Sequence, residues 1–534
     1  MRFLPYRRLT AWNRSLAIPL SVAIAILVGF LLVQLSPLEG AALVGLTAIV
    51  VGTVIEPLVG LGVALFVGPL KAYLSANVPQ VPAQVGHVFV ALALGSWLMK
   101  GLSERRVCLG DGISPLFLSL FAFLGAALLS AWDAVGLAAY GLPELIKWAE
   151  IILVFLFIRE HLVANTPARP ADGPASGAST VTGRHVYWLM AALLGSGVFQ
   201  ALVGIWQFGL RGEGPDHFRI LGGDFFRAYG TFEQPNPYAG YLGLTTALAV
   251  GTVIGLAWDR LAGDETGTTG RSSRGRGKTG ERTISLVGHR ADLLFYLLGG
   301  VASMVMFGAM IASWSRGAWL GFGAATMAIA AALPRRMVWS VVLVAALVIG
   351  GMALYLTGQL PAPLAARLTT FAADVHLEDV RGVPINDANY AVIERIAHWQ
   401  AALSMFRHNL WTGVGLGCYE AAYPTFALIN WPMALGHAHN IYLNLAAETG
   451  LIGLAAYSFL WAAAFWQTWR VTRRARGLER GLSVGLFGAW THLTVHHLLD
   501  NLYVNNVHLH VGVLLGLTAF LTHRVNRTTL HYDR

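Results

Sequence analysis

Polar side chains are scarce in this chain, and those that could do chemistry fall into a few short runs. Arg316 lies in Ser313-Trp-Ser-Arg-Gly317, and Arg395 in the stretch from Asp387 to Phe406. His437, His439 and Asn440 close the run Gly436-His-Ala-His-Asn440, which leads on to Glu448-Thr-Gly450. Asp500 opens Asp500-Asn-Leu-Tyr-Val-Asn-Asn506, while Arg219 and Arg227 precede Gly230-Thr-Phe-Glu-Gln-Pro-Asn-Pro237, which contains Asn236. A guanidinium is a permanently charged planar fork that matches phosphate oxygens two at a time. An imidazole, with an ordinary pKa of about 6.5, can take a proton from a hydroxyl near neutral pH. These residue types point to anion binding and proton transfer. The plainer alternative, polar groups satisfied by backbone at helix mouths or standing as rim charges, stays open on the residues alone.

Whatever positions them is built for lipid. The 534 residues are 55% hydrophobic and 12% charged, with a mean hydropathy of +0.58, whereas soluble domains carry about 25% charged residues. This excludes disorder, a coiled coil and an ordinary cytosolic enzyme, and two cysteines exclude a disulfide scaffold. A bilayer core of about 30 Å takes roughly 20 mostly apolar residues. Such stretches fall at 16–34, 40–57, 58–74, 87–101, 114–131, 145–162, 187–208, 238–258, 291–312, 318–333, 337–356, 440–468, 481–499 and 506–522. Only Glu56-Pro57 separates the second from the third, so the pair could form one re-entrant hairpin. The expected fold is all-α, a polytopic integral membrane protein with 12–14 transmembrane helices and one long outer loop carrying amphipathic helices. The first stretch, Ser15 to Gln34, has no small-residue cleavage site and reads as a retained signal-anchor.

Basic residues in the loops set the orientation, because Lys and Arg stay on the cytoplasmic side. With the N-terminus inside, the inner segments hold 27 of the 37 Lys and Arg residues. Both termini are then cytoplasmic, and the chain divides into 1–356 (N-terminal spans with basic inner loops), 357–436 (the long outer loop), 437–522 (C-terminal spans) and a 523–534 tail. The +9 net charge is thus a scattered topology signal and not a nucleic-acid stripe. Cys108 falls inside and Cys418 outside, which forbids a disulfide between them. The inner loops 163–184 and 261–290 read as surface linkers. Gly277-Lys278-Thr279 lacks the opening glycine and preceding strand of a phosphate loop, and Gly413-Val-Gly-Leu-Gly417 lacks the strand–helix setting of a dinucleotide site, reading instead as tight chain turning.

The reactive runs all map to the outer side. Asp387 to Phe406 reads as an amphipathic helix lying flat over a cavity, with Ala391, Val392, Trp399, Leu403 and Phe406 on one side and Glu394, Arg395 and Gln400 available for polar work. His492, His496 and Asp500 fall at i, i+4 and i+8 of one expected helix, a spacing open to metal ligation but more suited to interhelical hydrogen bonding. Lys147 with Glu144 and Glu150 reads as a charge-paired helix end.

The ordered motifs from about Arg219 to the last span resemble the O-antigen ligase and polymerase family of bacterial polysaccharide assembly. The resemblance rests on Gly230-Thr-Phe with Pro235-Asn236, Ser313-x-Ser-Arg-Gly317, the Glu394-Arg395…Trp399 run, and His439-Asn440 followed by Gly450 and Gly453. The ligase form tends to continue in Thr-Thr where this chain has Leu454-Ala455. The resemblance implies a bacterial inner-membrane glycosyltransferase with a periplasmic site, most like the ligase. Its donor is a glycan on undecaprenyl pyrophosphate and its acceptor a sugar hydroxyl of lipid A-core or of a growing glycan. It implies Arg316 and Arg395 for the pyrophosphate and His439 as base in a direct, inverting displacement without metal or cofactor. Arg219, Arg227, Asn236, His437, Asn440, Glu448 and Asp500 are candidate substrate contacts. A polysaccharide polymerase or a protein O-oligosaccharyltransferase is the alternative within the family. A solute transporter is the alternative outside it, but no repeated halves with midplane polar groups are visible.

Overall fold

The computed structural model describes Gly29 and residues 35–532, apart from 79–80, 83, 105–113, 133, 166–177, 268–281, 375–378 and 387–388. The expected signal-anchor at 16–34, Cys108 and Gly277-Lys278-Thr279 lie outside the described residues. Helices dominate. In chain order they are α1 (Pro37–Ile55), α2 (Pro57–Val67), α3 (Lys71–Asn77), α4 (Val85–Ser103), α5 (Pro115–Ser130), α6 (Leu142–Ala164), α7 (Ala178–Ile205), α8 (Pro235–Gly267), α9 (Arg282–Ala312), α10 (Arg316–Ala332), α11 (Met337–Leu356), α12 (Ala362–Asp374), α13 (Tyr390–His408), α14 (Tyr419–Phe426), α15 (Ile441–Arg474), α16 (Gly477–His496) and α17 (Val507–Tyr532). A two-residue antiparallel ribbon, β1 (Arg219–Ile220) with β2 (Phe225–Phe226), precedes α8.

This is an all-α polytopic membrane protein. Among the described residues, seven helices are long and apolar enough to cross a membrane: Pro37–Ile55, Pro57–Asn77, Val85–Ser103, Gly183–Leu210, Pro235–Leu261, Met337–Leu356 and Ile441–Arg474. The expectation of 12–14 spans also included the stretch at 16–34 and α5, α6, α9, α10, α16 and α17. Of these, Pro115–Ser130 and Tyr296–Ala312 are apolar but shorter, and α6, α16 and α17 carry charged or histidine side chains, with most side chains of α16 and the first fifteen of α17 buried. The arrangement inverts a soluble globule. Windows of α1 and α11 are only 6% buried although made almost wholly of apolar residues, while that of α8 is 83% buried. Apolar surface on α1 and α11 therefore faces outward, as lipid contact demands. The central α8 packs most extensively on α16, and also on α7, α9 and α10.

The doubtful pair resolves into two helices. Ser36 caps α1 in a reciprocal arrangement with Glu39. Glu56 ends α1 in extended backbone and caps α2 by accepting from the Leu58 N–H at 3.3 Å, with Pro57 at the first helical position.

The element that organises the site is a broken helix. α15 is interrupted at Gly450, whose φ of 64° and ψ of −162° lie in a region essentially restricted to glycine. The break strands two carbonyls and two N–H groups, and the segment after α13 takes all four. Val414 and Gly415 donate to the Ala447 and Glu448 carbonyls at 2.9 Å, while Leu451 and Ile452 donate to Leu410 and Trp411 at 2.8 and 3.3 Å. Buried backbone groups in a membrane protein need such partners. Gly413, Gly415 and Gly417 all have positive φ, the tight turning expected of that run. A Cβ at Gly450 would sit 2.3 Å from the Trp411 backbone, and one at Gly453 2.0 Å from the Thr449 hydroxyl, so both motif glycines make room for this junction. Gly450→Ala is expected to cost more than the ~1–3 kcal/mol of backbone strain alone, read as a lower melting temperature and lower folded yield in detergent.

The helix predicted from Asp387 starts instead at Tyr390. Asn386 and Asn389 exchange side-chain to backbone hydrogen bonds at 2.8 and 3.0 Å just before it and thereby set its start. Its buried face also differs from the expected one: Val392, Ile393, Ile396, Ala397, His398, Ala401, Ala402 and Met405 are buried, while Ala391 is exposed. α13 packs on both α14 and α15, which turns the buried arc away from a single-sided pattern.

Candidate active site

A cavity of about 170 Å³ opens where α8, α10, α12, α13 and the end of α16 meet. Four arginines line it: Arg227 after β2, Arg316 at the start of α10, Arg367 on α12 and Arg395 on α13. Asn236 and Asp500 complete its polar lining together with Ser315 and His496. Arg316 is the first residue of α10, and no side chain caps that terminus. Ser315, Arg316 and Gly317 therefore present both a guanidinium and the positive end of a helix dipole to the cavity. The turn before them is strained, with Trp314 at φ +58°. Its carbonyls are held by the site's own arginines: Arg227 Nε donates to Ser313 O at 2.9 Å and Arg367 Nη2 to Trp314 O at 3.2 Å.

Four guanidiniums facing one carboxylate leave the cavity strongly cationic. Burial, with Arg367, Arg395 and Arg316 adding repulsion, pushes Arg227 down to about 9. Burial and Arg316 and Arg395 likewise push Arg367 down to about 10. Both stay charged at neutral pH, and an anion among them would relieve the repulsion. Arg227 is fixed by Nη2 donating to Asn236 Oδ1 at 3.0 Å. Arg395 makes a 3.5 Å contact to Ala391 O on its own helix and has a buried Nε without a hydrogen-bond partner.

A histidine cluster adjoins the cavity through Asp500. His439 Nδ1 and His437 Nε2 stand 3.8 and 3.9 Å from the same Asp500 oxygen. On a helix His437, two residues from His439, would point elsewhere, but no helix forms here. Residues 437–440 precede α15, and His439 has φ +53°. The reversal brings the two rings to 4.5 Å between centroids. His439 N–H donates to His437 Nδ1 at 3.0 Å, while both His439 ring nitrogens are buried without hydrogen-bond partners. Burial works to raise the Asp500 carboxyl, but His439 and His437 beside it hold it well below the usual carboxylate range. The spacing of His492, His496 and Asp500 needs a correction. α16 ends at His496 and leaves Asp500 beyond a turn, and His492 is directed to the Gly240 carbonyl at 3.0 Å.

The remaining candidates separate. Arg219 lies outside the cavity, exposed and paired with Asp216 at 3.0 Å. Asn440 caps α15 by accepting from the Tyr442 and Leu443 N–H groups at 3.0 and 3.1 Å. Glu448 is buried and accepts from Tyr419 N at 3.3 Å, so it tethers the glycine-rich turn to the α15 break. Glu144 and Lys147 do pair at the start of α6.

Two residues escaped sequence reading. Arg367 is one of the ten basic residues expected outside, and its place on a short amphipathic helix was the available signal. His398 lies one turn from Arg395, buried, with Nδ1 3.0 Å from the Tyr419 hydroxyl and its ring 5.8 Å from that of His439. Burial first, then His439, pushes His398 down to about 4, and burial with the same neighbour takes His437 to about 4. Below pH 6.5 the unfolded chain takes up protons that these folded histidines refuse until about pH 4. Stability held above pH 6.5 is thus expected to drain away between 6.5 and 4. His398→Gln should make the fall of melting temperature with pH shallower.

The fold is that of a polytopic membrane protein, with a cationic cavity beside a histidine–aspartate pair. Residues 301–458 match a family model described as O-antigen ligase, a similarity that supports membrane glycan transfer in general. The matched segment contains Arg316, Arg395 and His439; Arg227, Asn236 and Asp500 lie outside it. No curated protein matches the chain.

Proposed function

We propose that the protein is an O-antigen ligase-type glycosyltransferase of a bacterial inner membrane. It moves a glycan from undecaprenyl pyrophosphate to a sugar hydroxyl of lipid A-core on the periplasmic face. The observation that carries this reading is that the four-arginine cavity and His439 share Asp500. No nucleotide-sugar pool exists outside the cytoplasm, so the donor there is lipid-linked and its leaving group is a pyrophosphate anion. Arg316 and Arg395 hold the pyrophosphate, supported by Arg227, Arg367 and the α10 N-terminus. His439, oriented by Asp500, takes the proton of the acceptor hydroxyl as its oxygen attacks the anomeric carbon from the opposite face. The bond to pyrophosphate breaks, its electrons leave with the phosphate, and the anomeric configuration inverts. The 27 basic residues assigned to the inner segments support a periplasmic site.

The test combines purified protein with a lipid-linked oligosaccharide and either lipid A-core or a second donor molecule. Transfer to core is expected. Elongation of the donor instead marks a polymerase, and glycan transfer in neither arm overturns the reading. Arg367→Ala should lower the rate by ~10-fold, less than a full anion-hole donor is worth, because one of its nitrogens is committed to the Trp314 carbonyl. Arg219→Ala, outside the cavity, should leave the initial rate unchanged.

A further inference from the structure

Three groups among the described residues bring histidine and carboxylate ligand atoms within 4.8 Å of one another, and their geometries differ. In His87–Glu150–His508 the nitrogens stand 2.7 and 2.9 Å from the two Glu150 oxygens. These are ordinary hydrogen bonds that engage both Glu150 oxygens without an ion. His437–His439–Asp500 belongs to the site already described. The third group, Glu56–His161–His185, is different.

There, Nε2 of His161 lies 3.1 Å from one Glu56 oxygen and Nε2 of His185 lies 3.6 Å from the other. The first contact is within hydrogen-bond distance but off-axis and the second is too long, and His161 Nε2 and His185 Nδ1 are buried without a well-directed hydrogen-bond partner. A tetrahedral zinc with bonds of about 2.0–2.2 Å spaces its ligand atoms about 3.3–3.6 Å apart. The 3.6 Å separation is that of a coordination-shell edge and the 3.1 Å one falls just short of it, so a small outward shift of His161 would seat an ion among the three. The rings stand edge to face at 88° with centroids 5.2 Å apart, which turns both Nε2 atoms toward one carboxylate. The histidine side chains are 10% and 15% exposed and Glu56 is 38% exposed, so the donors are shielded while the carboxylate leaves an entry path.

The ligands come from elements that chain connectivity alone does not hold together. Glu56 is the junction between α1 and α2, His161 lies in the last turn of α6, and His185 near the start of α7. Trp148, early in α6, touches Tyr503 just beyond Asp500. His161 is 13 residues further along, roughly 20 Å at the helical rise, so this group sits away from the arginine cavity.

We infer that Glu56, His161 and His185 form a binding site for a divalent transition-metal ion of the zinc class, which clips the α1–α2 hairpin to α6 and α7. Two imidazoles and one carboxylate suit such an ion, and three protein ligands leave a fourth position for water. The site takes no part in the transfer reaction proposed above.

The test uses full-length protein in detergent, stripped with chelator and titrated with zinc chloride, with bound metal counted and melting temperature followed. The wild type should bind one more equivalent than His185→Gln or Glu56→Gln, and its melting temperature should rise with zinc. In each variant the affinity should fall by more than ~10-fold. His87→Gln should bind as the wild type does. Cobalt titration of the unaltered chain gives a second readout, a visible absorption of four-coordinate type that zinc displaces. Absence of metal binding, equal binding in wild type and both variants, or loss of the equivalent in His87→Gln overturns the proposal.

Discussion

Replacing His439 should abolish glycan transfer while leaving the protein folded. The general base in the proposed reaction is worth ~10²–10⁴ in rate, so His439→Ala should fall by that factor in kcat with donor affinity little changed. His439 makes an ideal target because its ring nitrogens have no hydrogen-bond partners to lose. Its backbone is the complication, since φ is +53° and alanine tolerates that region less well than asparagine does. His439→Asn keeps the turn and removes the base, so the two variants separate a chemical loss from a conformational one. Asp500 is a positioning residue, 3.8 Å from His439 Nδ1. Asp500→Asn should lower kcat and shift the pH–rate profile, which a merely structural role would leave in place. Full activity in a folded His439→Asn protein would show that the base lies elsewhere.

The second large effect concerns the leaving group. Arg316→Ala and Arg395→Ala should each reduce the rate by ~10²–10³, the range for removing one preorganised charge stabiliser. Charge builds on the pyrophosphate as the glycosidic bond breaks, so the loss should appear in kcat more than in donor KM. Arg316→Lys and Arg395→Lys should recover only part of the activity, because an ammonium supplies charge without the planar fork. The two guanidiniums share a cavity with Arg227, whose ordinary value they help to depress. Their effects should accordingly not add: removing one relieves repulsion on the others, and the double variant should fall short of the product of the singles. Melting temperatures near wild type in both alanine variants would assign the loss to chemistry.

Much of this protein was legible in its residues, for reasons that differ by feature. Lipid as solvent leaves a long-range signature, runs of about 20 apolar residues, and so the all-α class and most helix positions could be read directly. The motif glycines were recognisable as a pattern, but their purpose was not. Gly450 breaks α15 so that residues 410–415 can complete its hydrogen bonding, and those partners are some forty residues upstream. That His437 meets Asp500 beside His439 could not be read from spacing, because the left-handed His439 reverses the chain where no propensity signals it. Glu448 and Asn440 stand in the same motif as His439 yet spend their polar atoms on backbone.

The sequence by itself determined the solvent, the element type and the short list of reactive residues, since composition, hydrophobic run length and motif order are properties of the chain. Only the tertiary structure decided which of those residues meet. Arg227, Arg316, Arg367, Arg395 and Asp500 come from five separate elements, and α8, α10, α12, α13 and the end of α16 must pack before four like charges share one cavity. The same packing excluded Arg219, admitted Arg367 and His398, and set Glu56 between two histidines. Side-chain convergence is set by helix contacts between residues hundreds of positions apart, and no local spacing encodes it.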